Sequence, residues 1–180
     1  MTSPIYRTEA VRFIEQQKAG QPWFLYVSFN AVHSPHVASE KWLAKFKHLP
    51  KRDADYSALI AEADEAICGI MARLRELKLE EDTLVFCLSD NGGAAPQSEM
   101  GVLRGHKWEV LEGGIRVTWI AQWKGRFPAG RVSATPVIQL DLLPTALAAG
   151  GAEVKREWNL DGVNILPVLE GRSTSLPRDA

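Results

Sequence analysis

The chain has 180 residues, 46% hydrophobic and 24% charged, with a formal net charge of -1; this is ordinary globular usage and suits one domain or one large piece of a bigger one. There is no basic excess to point to nucleic acid or an anionic membrane, and no apolar run approaches the roughly 18 residues of a membrane span. The opening residues, Met1-Thr2-Ser3-Pro4-Ile5-Tyr6-Arg7, lack the apolar centre of a signal peptide, which for a piece of a longer protein says nothing about where that protein resides.

In chain order, residues 7–18 predict a helix with Ala10, Val11 and Ile14 on one face, broken by Pro22. Residues 24–29, Phe-Leu-Tyr-Val-Ser-Phe, are a dense apolar run of strand length. The run ends in a loop, Asn30-Ala31-Val32-His33-Ser34-Pro35-His36, and a short amphipathic helix is expected over 40–46. The strongest helical signal covers 55–77, where Ile60, Ala63, Ile67, Ile70, Leu74 and Leu77 recur at steps of three and four. A polar turn at 78–82 leads to a second apolar strand over 83–88, which runs into Ser89-Asp90-Asn91-Gly92-Gly93. Residues 115–123 read as a third strand and 140–149 as a helix closed by Gly150-Gly151. Cys68 and Cys87 both sit in apolar patterns, without CxxC spacing, and are expected to be buried free thiols.

Continuous apolar strands separated by amphipathic helices predict an α/β fold, its sheet covered on both faces. Ligands of such sheets bind outside the strand ends, and two of the three expected strands run into polar residues there. Adjacent Asp90 and Asn91, followed by glycines, could give two oxygen ligands to a hard divalent cation; the same four residues also make a good turn. His33 and His36, three apart on a loop, suit proton transfer or metal ligation, or are plain loop histidines. Residues 103–116, Leu-Arg-Gly-His-Lys-Trp-Glu-Val-Leu-Glu-Gly-Gly-Ile-Arg, carry donors suited to a tetrahedral oxyanion. They could equally form a loop held by a Glu112–Arg116 ion pair, with Lys107 in solvent.

These segments, in this order, resemble the sulfatase family of the alkaline-phosphatase-like superfamily. The resemblance is carried by His33-Ser34-Pro35, the helix with Asp64-Glu65-Ala66, residues 83–93, Leu103-Arg104-Gly105-His106-Lys107, Glu112-Gly113-Gly114-Ile115-Arg116, Asp141-Leu142-Leu143-Pro144-Thr145 and Leu160-Asp161-Gly162-Val163. Phosphoesterases of the superfamily usually use more metal-binding histidines and lack the combination of Lys107 with Glu-Gly-Gly-Ile-Arg. The resemblance implies a partial alkaline-phosphatase-like sandwich, with a largely parallel or mixed central sheet and helices on both faces. It implies a sulfate-ester substrate, aryl or carbohydrate, a calcium ion and a formylglycine nucleophile. Asp90 and Asn91 then resemble calcium ligands. His33 resembles the histidine that contacts the sulfate and the leaving oxygen, and Lys107 the lysine that binds the ester. His36, Arg104, Glu112 and Arg116 are expected in support, Glu112 by holding the loop through Arg116. The four residues His33, Asp90, Asn91 and Lys107 are expected to converge at one rim of the sheet.

The sequence departs from the family pattern in several places. The C/S-x-P-S/A-R motif that yields the formylglycine is absent from these residues, and so are the paired early aspartates of the calcium site and the lysine and histidine that flank the nucleophile. Ser175-Leu176-Pro177-Arg178 looks like the motif but lacks the residue between Pro and Arg. Thr118 stands where the family often has Pro. Residues 1–155 are therefore expected to be the later portion of a sulfatase catalytic domain, and 156–180 the start of the segment leading to a smaller subdomain. The expected activity is sulfuric-ester hydrolysis by the parent protein. A degenerate binding or assembly protein and a phosphoesterase of the same superfamily are the alternatives. Periplasmic, secreted and lysosome-like settings are all compatible with such a parent, and oligomeric state is not legible.

Overall fold

The computed structural model describes residues 2–18, 20–96 and 98–178; positions 1, 19, 97, 179 and 180 of the two expected segments lie outside them. The chain packs as two units, the described residues of Met1–Leu79 with Gly93–Gly101, and those of Glu80–Gly92 with Val102–Ala180.

The first unit is helical. Helix α1, Ser3–Glu15, starts earlier than its apolar face suggests, because Pro4 suits a first helical turn, where its missing N–H is not needed. It buries Ala10 and Ile14. Helix α2 is Glu40–Phe46, as expected. Helix α3, Lys51–Glu76, packs against both. Its buried residues are Ala54, Ala58, Leu59, Glu62, Ala66 and Leu74, while Ile60 and Leu77 are exposed. The stripe read from branched apolar residues is thus rotated from the buried one. Small alanines one turn apart let neighbouring helices approach, and the larger side chains take the flanks. Lys78 ends α3 at φ 59°, with Leu79 N–H donating to the Leu74 carbonyl at 2.9 Å and Lys78 N–H to Arg75 at 3.0 Å, a Schellman closure without glycine. Glu62 reaches from α3 to accept the Ser39 N–H at 3.1 Å at the start of α2. Glu65 accepts from Lys41 and, at 3.0 Å, from the Trp42 indole. Those two donors hold the Glu65 carboxyl below the usual carboxylate range.

Residues 24–29 form no ladder among the described residues. Their exposure still alternates residue by residue, with Leu25 and Val27 partly covered and Phe24 and Tyr26 exposed. Composition sets an extended preference, but a strand also needs a partner for its backbone groups.

The second unit holds an antiparallel pair, β1 (Val85–Leu88) with β2 (Trp119–Gln122), in the register Val85 opposite Gln122 and Leu88 opposite Trp119. The α/β class stands, and the ladder formed by the described residues is antiparallel rather than parallel. The expected third strand is shorter at its start, since Glu112–Ile115 makes a helical turn, α4. A 3-10 turn, Gln139–Asp141, leads into α5 (Leu142–Ala149), which closes through Gly151 at φ 74°. A further 3-10 turn, Arg156–Trp158, and the short α6 (Leu166–Leu169) follow. Neither thiol is buried as expected: Cys68 is exposed, on an outward face of α3, and Cys87 is half-buried on a thin two-stranded sheet.

The Asp-Leu-Leu-Pro-Thr and Leu-Asp-Gly-Val segments meet in this unit, for structural reasons. Fully buried Asp141 accepts the Ile138 and Val163 N–H groups, each at 2.9 Å, and pairs with Arg178. Buried Thr145 accepts the Ile165 N–H at 3.1 Å. Gly162 lies so close that an added Cβ would stand 1.9 Å from the Leu140 carbonyl oxygen. The Arg of the Ser-Leu-Pro-Arg look-alike therefore serves as a counter-ion to Asp141. Asp141→Ala strands two N–H groups and a cation at once, and a loss of about 3 kcal/mol of unfolding free energy is expected in urea titration.

Candidate active site

Asp90 and Asn91 stand at the exit of β1, where Ser89 N–H donates to the Thr118 carbonyl at 3.2 Å as the last rung of the ladder. Ser89 Oγ donates to the Asn91 carbonyl at 2.8 Å, and the Gln139 amide reaches the Ser89 and Asp90 carbonyls at 3.4 Å. These contacts occupy backbone oxygens. Among the described residues the exposed Asp90 carboxylate takes no hydrogen bond or ion pair, so its oxygens remain open. The pair fits a hard cation in kind. It supplies two of the roughly six to eight oxygens that calcium takes. Among the described residues no group of three or more His, Cys, Asp or Glu could hold a metal.

Three loops are stitched together by backbone bonds and glycine approaches. Gly92 N–H donates to the Gly114 carbonyl at 2.8 Å, and Gly113 N–H to the Arg104 carbonyl at 2.7 Å. A Cβ on Gly92 would stand 1.8 Å from the Gly113 oxygen, on Gly113 2.0 Å from the Gly105 oxygen, and on Gly114 1.9 Å from the Glu109 oxygen. Only residues without a side chain allow this approach. The Asp90-Asn91 turn, the Arg104–Lys107 segment and α4 are thereby fixed to one another.

Lys107 is half-buried on a turn that begins at Gly105, φ 91°. Glu109 closes the turn: its Oε2 accepts the His106 N–H at 2.8 Å, while its own N–H donates to the His106 carbonyl at 3.0 Å. Trp108, between them, has φ 83°, a conformation that costs a bulky residue on the order of 1–3 kcal/mol and clusters at functional sites. Glu109 was not among the expected residues.

Glu112 and Arg116 pair at 3.0 Å, with both side chains more than half exposed. An exposed pair of this spacing contributes only about 0.3–0.5 kcal/mol. The glycines and the backbone bonds hold the loop more firmly than this pair does. Arg104 is exposed beside it.

His33 and His36 belong to the first unit. His33 N–H donates to the Asn30 carbonyl at 2.8 Å, and its Nδ1 lies 2.8 Å from the Ser34 carbonyl. A carbonyl can only accept, so the proton sits on Nδ1 and Nε2 is left for a ligand. His36 packs edge-on against Tyr56, with ring centroids 5.3 Å apart.

The fold is that of the alkaline-phosphatase-like α/β enzymes. The Sulfatase family profile matches residues 3–152, and the chain belongs to the sulfatase family. It is 37% identical to N-acetylgalactosamine-6-sulfatase of Sus scrofa over 180 residues, 96% of this chain and 34% of that protein. It is 33% identical to Arylsulfatase H of Homo sapiens, across 92% of this chain and 30% of that one. Among solved structures, Ps i-CgsB in complex with k-i-k-neocarrahexaose superposes with a TM-score of 0.86 at 32% identity, over 92% of this chain and 38% of that one. The chain spans about a third of the length of the relatives it matches. No helix among the described residues is long and apolar enough to cross a membrane.

Proposed function

We propose that the protein carrying this chain hydrolyses a sulfate ester of a carbohydrate, and that these residues provide the later half of its active site. The observation that supports this most is the glycine-stitched core. It fixes a free carboxylate, Asp90, and the amide of Asn91 near a cation-bearing loop, the arrangement needed for a metal beside a tetrahedral oxyanion. A sugar substrate is in keeping with a relative named N-acetylgalactosamine-6-sulfatase and with a similar structure solved in complex with k-i-k-neocarrahexaose.

Under this reading Asp90 and Asn91 hold a calcium ion together with ligands from elsewhere in the protein. The ion would supply positive charge to the sulfate oxygens. The nucleophile is a formylglycine, also supplied from outside these residues. Lys107 binds a sulfate oxygen and stabilises the negative charge on the departing oxygen. As the S–O bond to the sugar breaks, His33 would hand that oxygen a proton through Nε2, and the alcohol leaves. The oxygen of that nucleophile would take the sugar oxygen's place on sulfur, and loss of sulfate from it followed by addition of water would restore it, with sulfur unchanged in oxidation state.

The test uses the full-length protein with 4-nitrophenyl sulfate and 4-nitrophenyl phosphate side by side. Turnover of the sulfate over the phosphate is expected. Asp90→Ala should lower activity at limiting calcium and regain part of it in excess calcium, since the loss is in metal affinity. Preference for the phosphate would point to a phosphoesterase, and no turnover of either ester by a folded protein would point to a degenerate binding protein. Both outcomes overturn the proposal.

A further inference from the structure

Trp108 differs from the other five tryptophans of the chain. Trp23, Trp42 and Trp119 are half-buried, Trp123 is 6% exposed and Trp158 is 45% exposed, whereas Trp108 is 90% exposed. An indole left this open forgoes the burial that usually justifies so large an apolar side chain. Its backbone conformation is also unusual. At φ 83° it sits at the tip of the turn that Glu109 closes onto His106 and that Gly105 opens, so a well-bonded turn holds the ring outward. The Lys107 ammonium lies 5.1 Å from the centre of the Trp108 ring. Val110, two positions further on, is 87% exposed as well.

A charged donor for an oxyanion and an open aromatic face, side by side on one rigid turn, match a ligand with the same two parts. A sulfated sugar has them. Its sulfate is an anion, and its ring presents a face of C–H groups that carry slight positive charge toward a π-face that carries slight negative charge. One ester linkage separates the two parts of the ligand, and the two parts of the turn are consecutive residues.

We propose that Trp108 is a stacking platform for the sugar ring that bears the sulfate, so that Lys107 and Trp108 together form a subsite for a sulfated saccharide. This rests on the sulfate-ester reading given above and adds to it the group that selects the alcohol half of the ester. Trp108 touches the sugar and takes no part in breaking the S–O bond.

Binding to the full-length protein separates the two claims. The probes are N-acetylgalactosamine 6-sulfate and inorganic sulfate, measured by calorimetry on the unaltered protein, Trp108→Ala, Trp108→Phe and Lys107→Ala. Trp108→Ala should weaken the sulfated sugar about tenfold and change inorganic sulfate by less than about twofold. Trp108→Phe should keep most of the affinity for the sugar, because it keeps a π-face. Lys107→Ala should weaken both probes. If Trp108→Ala weakened both probes alike, or neither, or lowered the thermal midpoint without changing the ratio between them, the indole would be a packing residue and the platform would be overturned while the sulfate site stood. If Lys107→Ala left inorganic sulfate binding intact, the sulfate-ester reading itself would fall.

Discussion

Gly113→Ala is expected to abolish the folded second unit. The added Cβ would stand 2.0 Å from the Gly105 carbonyl oxygen, 2.6 Å from its carbon and 2.8 Å from the Arg104 oxygen. All three are backbone atoms, so no side chain can swing aside. The chain would have to give up the 2.7 Å bond from Gly113 N–H to Arg104, and with it the attachment of the Lys107 turn to α4. A loss of more than about 4 kcal/mol is expected, beyond the range of most substitutions. Gly69→Ala is the control. There the Cβ meets the Arg7 side chain at 2.5 Å, which can move, and alanine favours the interior of α3 by up to about 1 kcal/mol. Urea unfolding of both variants checks the contrast. A cooperative, near-normal transition for Gly113→Ala would mean that the loops are not locked as described.

Lys107→Ala in the full-length protein is expected to lower kcat by about 10²–10³, the effect of removing one donor that meets charge developing in a transition state. The loss should appear in kcat as well as in KM, because the interaction strengthens as the S–O bond breaks. Glu112→Ala makes the comparison, since it removes an exposed ion pair with Arg116. That variant should stay within about 0.5 kcal/mol of normal stability and keep its turnover. Steady-state kinetics and thermal unfolding on the same preparations decide the matter. Unchanged turnover in Lys107→Ala with abolished turnover in a stably folded Glu112→Ala would exchange the two roles.

The helices α1, α2, α3 and α5 were legible in the sequence because they rest on local terms, whereas the single turns α4 and α6 were not. Residues 40–46 gave α2 its span, and Gly150-Gly151 marked the end of α5, since turn chemistry and short-range periodicity act within a few residues. The sulfatase character was legible too, from ordered motifs around His33, Asp90, Lys107 and Gly113. Other features needed the tertiary structure. The buried stripe of α3 lies on Ala54, Ala58 and Ala66, because the closeness of α1 and α2 selects small residues over the apolar ones that periodicity favours. Residues 24–29 show strand composition without a ladder, since pairing depends on a partner and composition supplies only the preference. Asp141, one letter in a motif, proves to be a buried acceptor for segments far along the chain. The ion pair between Glu112 and Arg116 could be foreseen from spacing, but its small worth could not, because solvent exposure is decided by what packs above a residue. The openness of Trp108 could not be foreseen for the same reason, since a sequence does not say whether a loop aromatic is packed over or left in water.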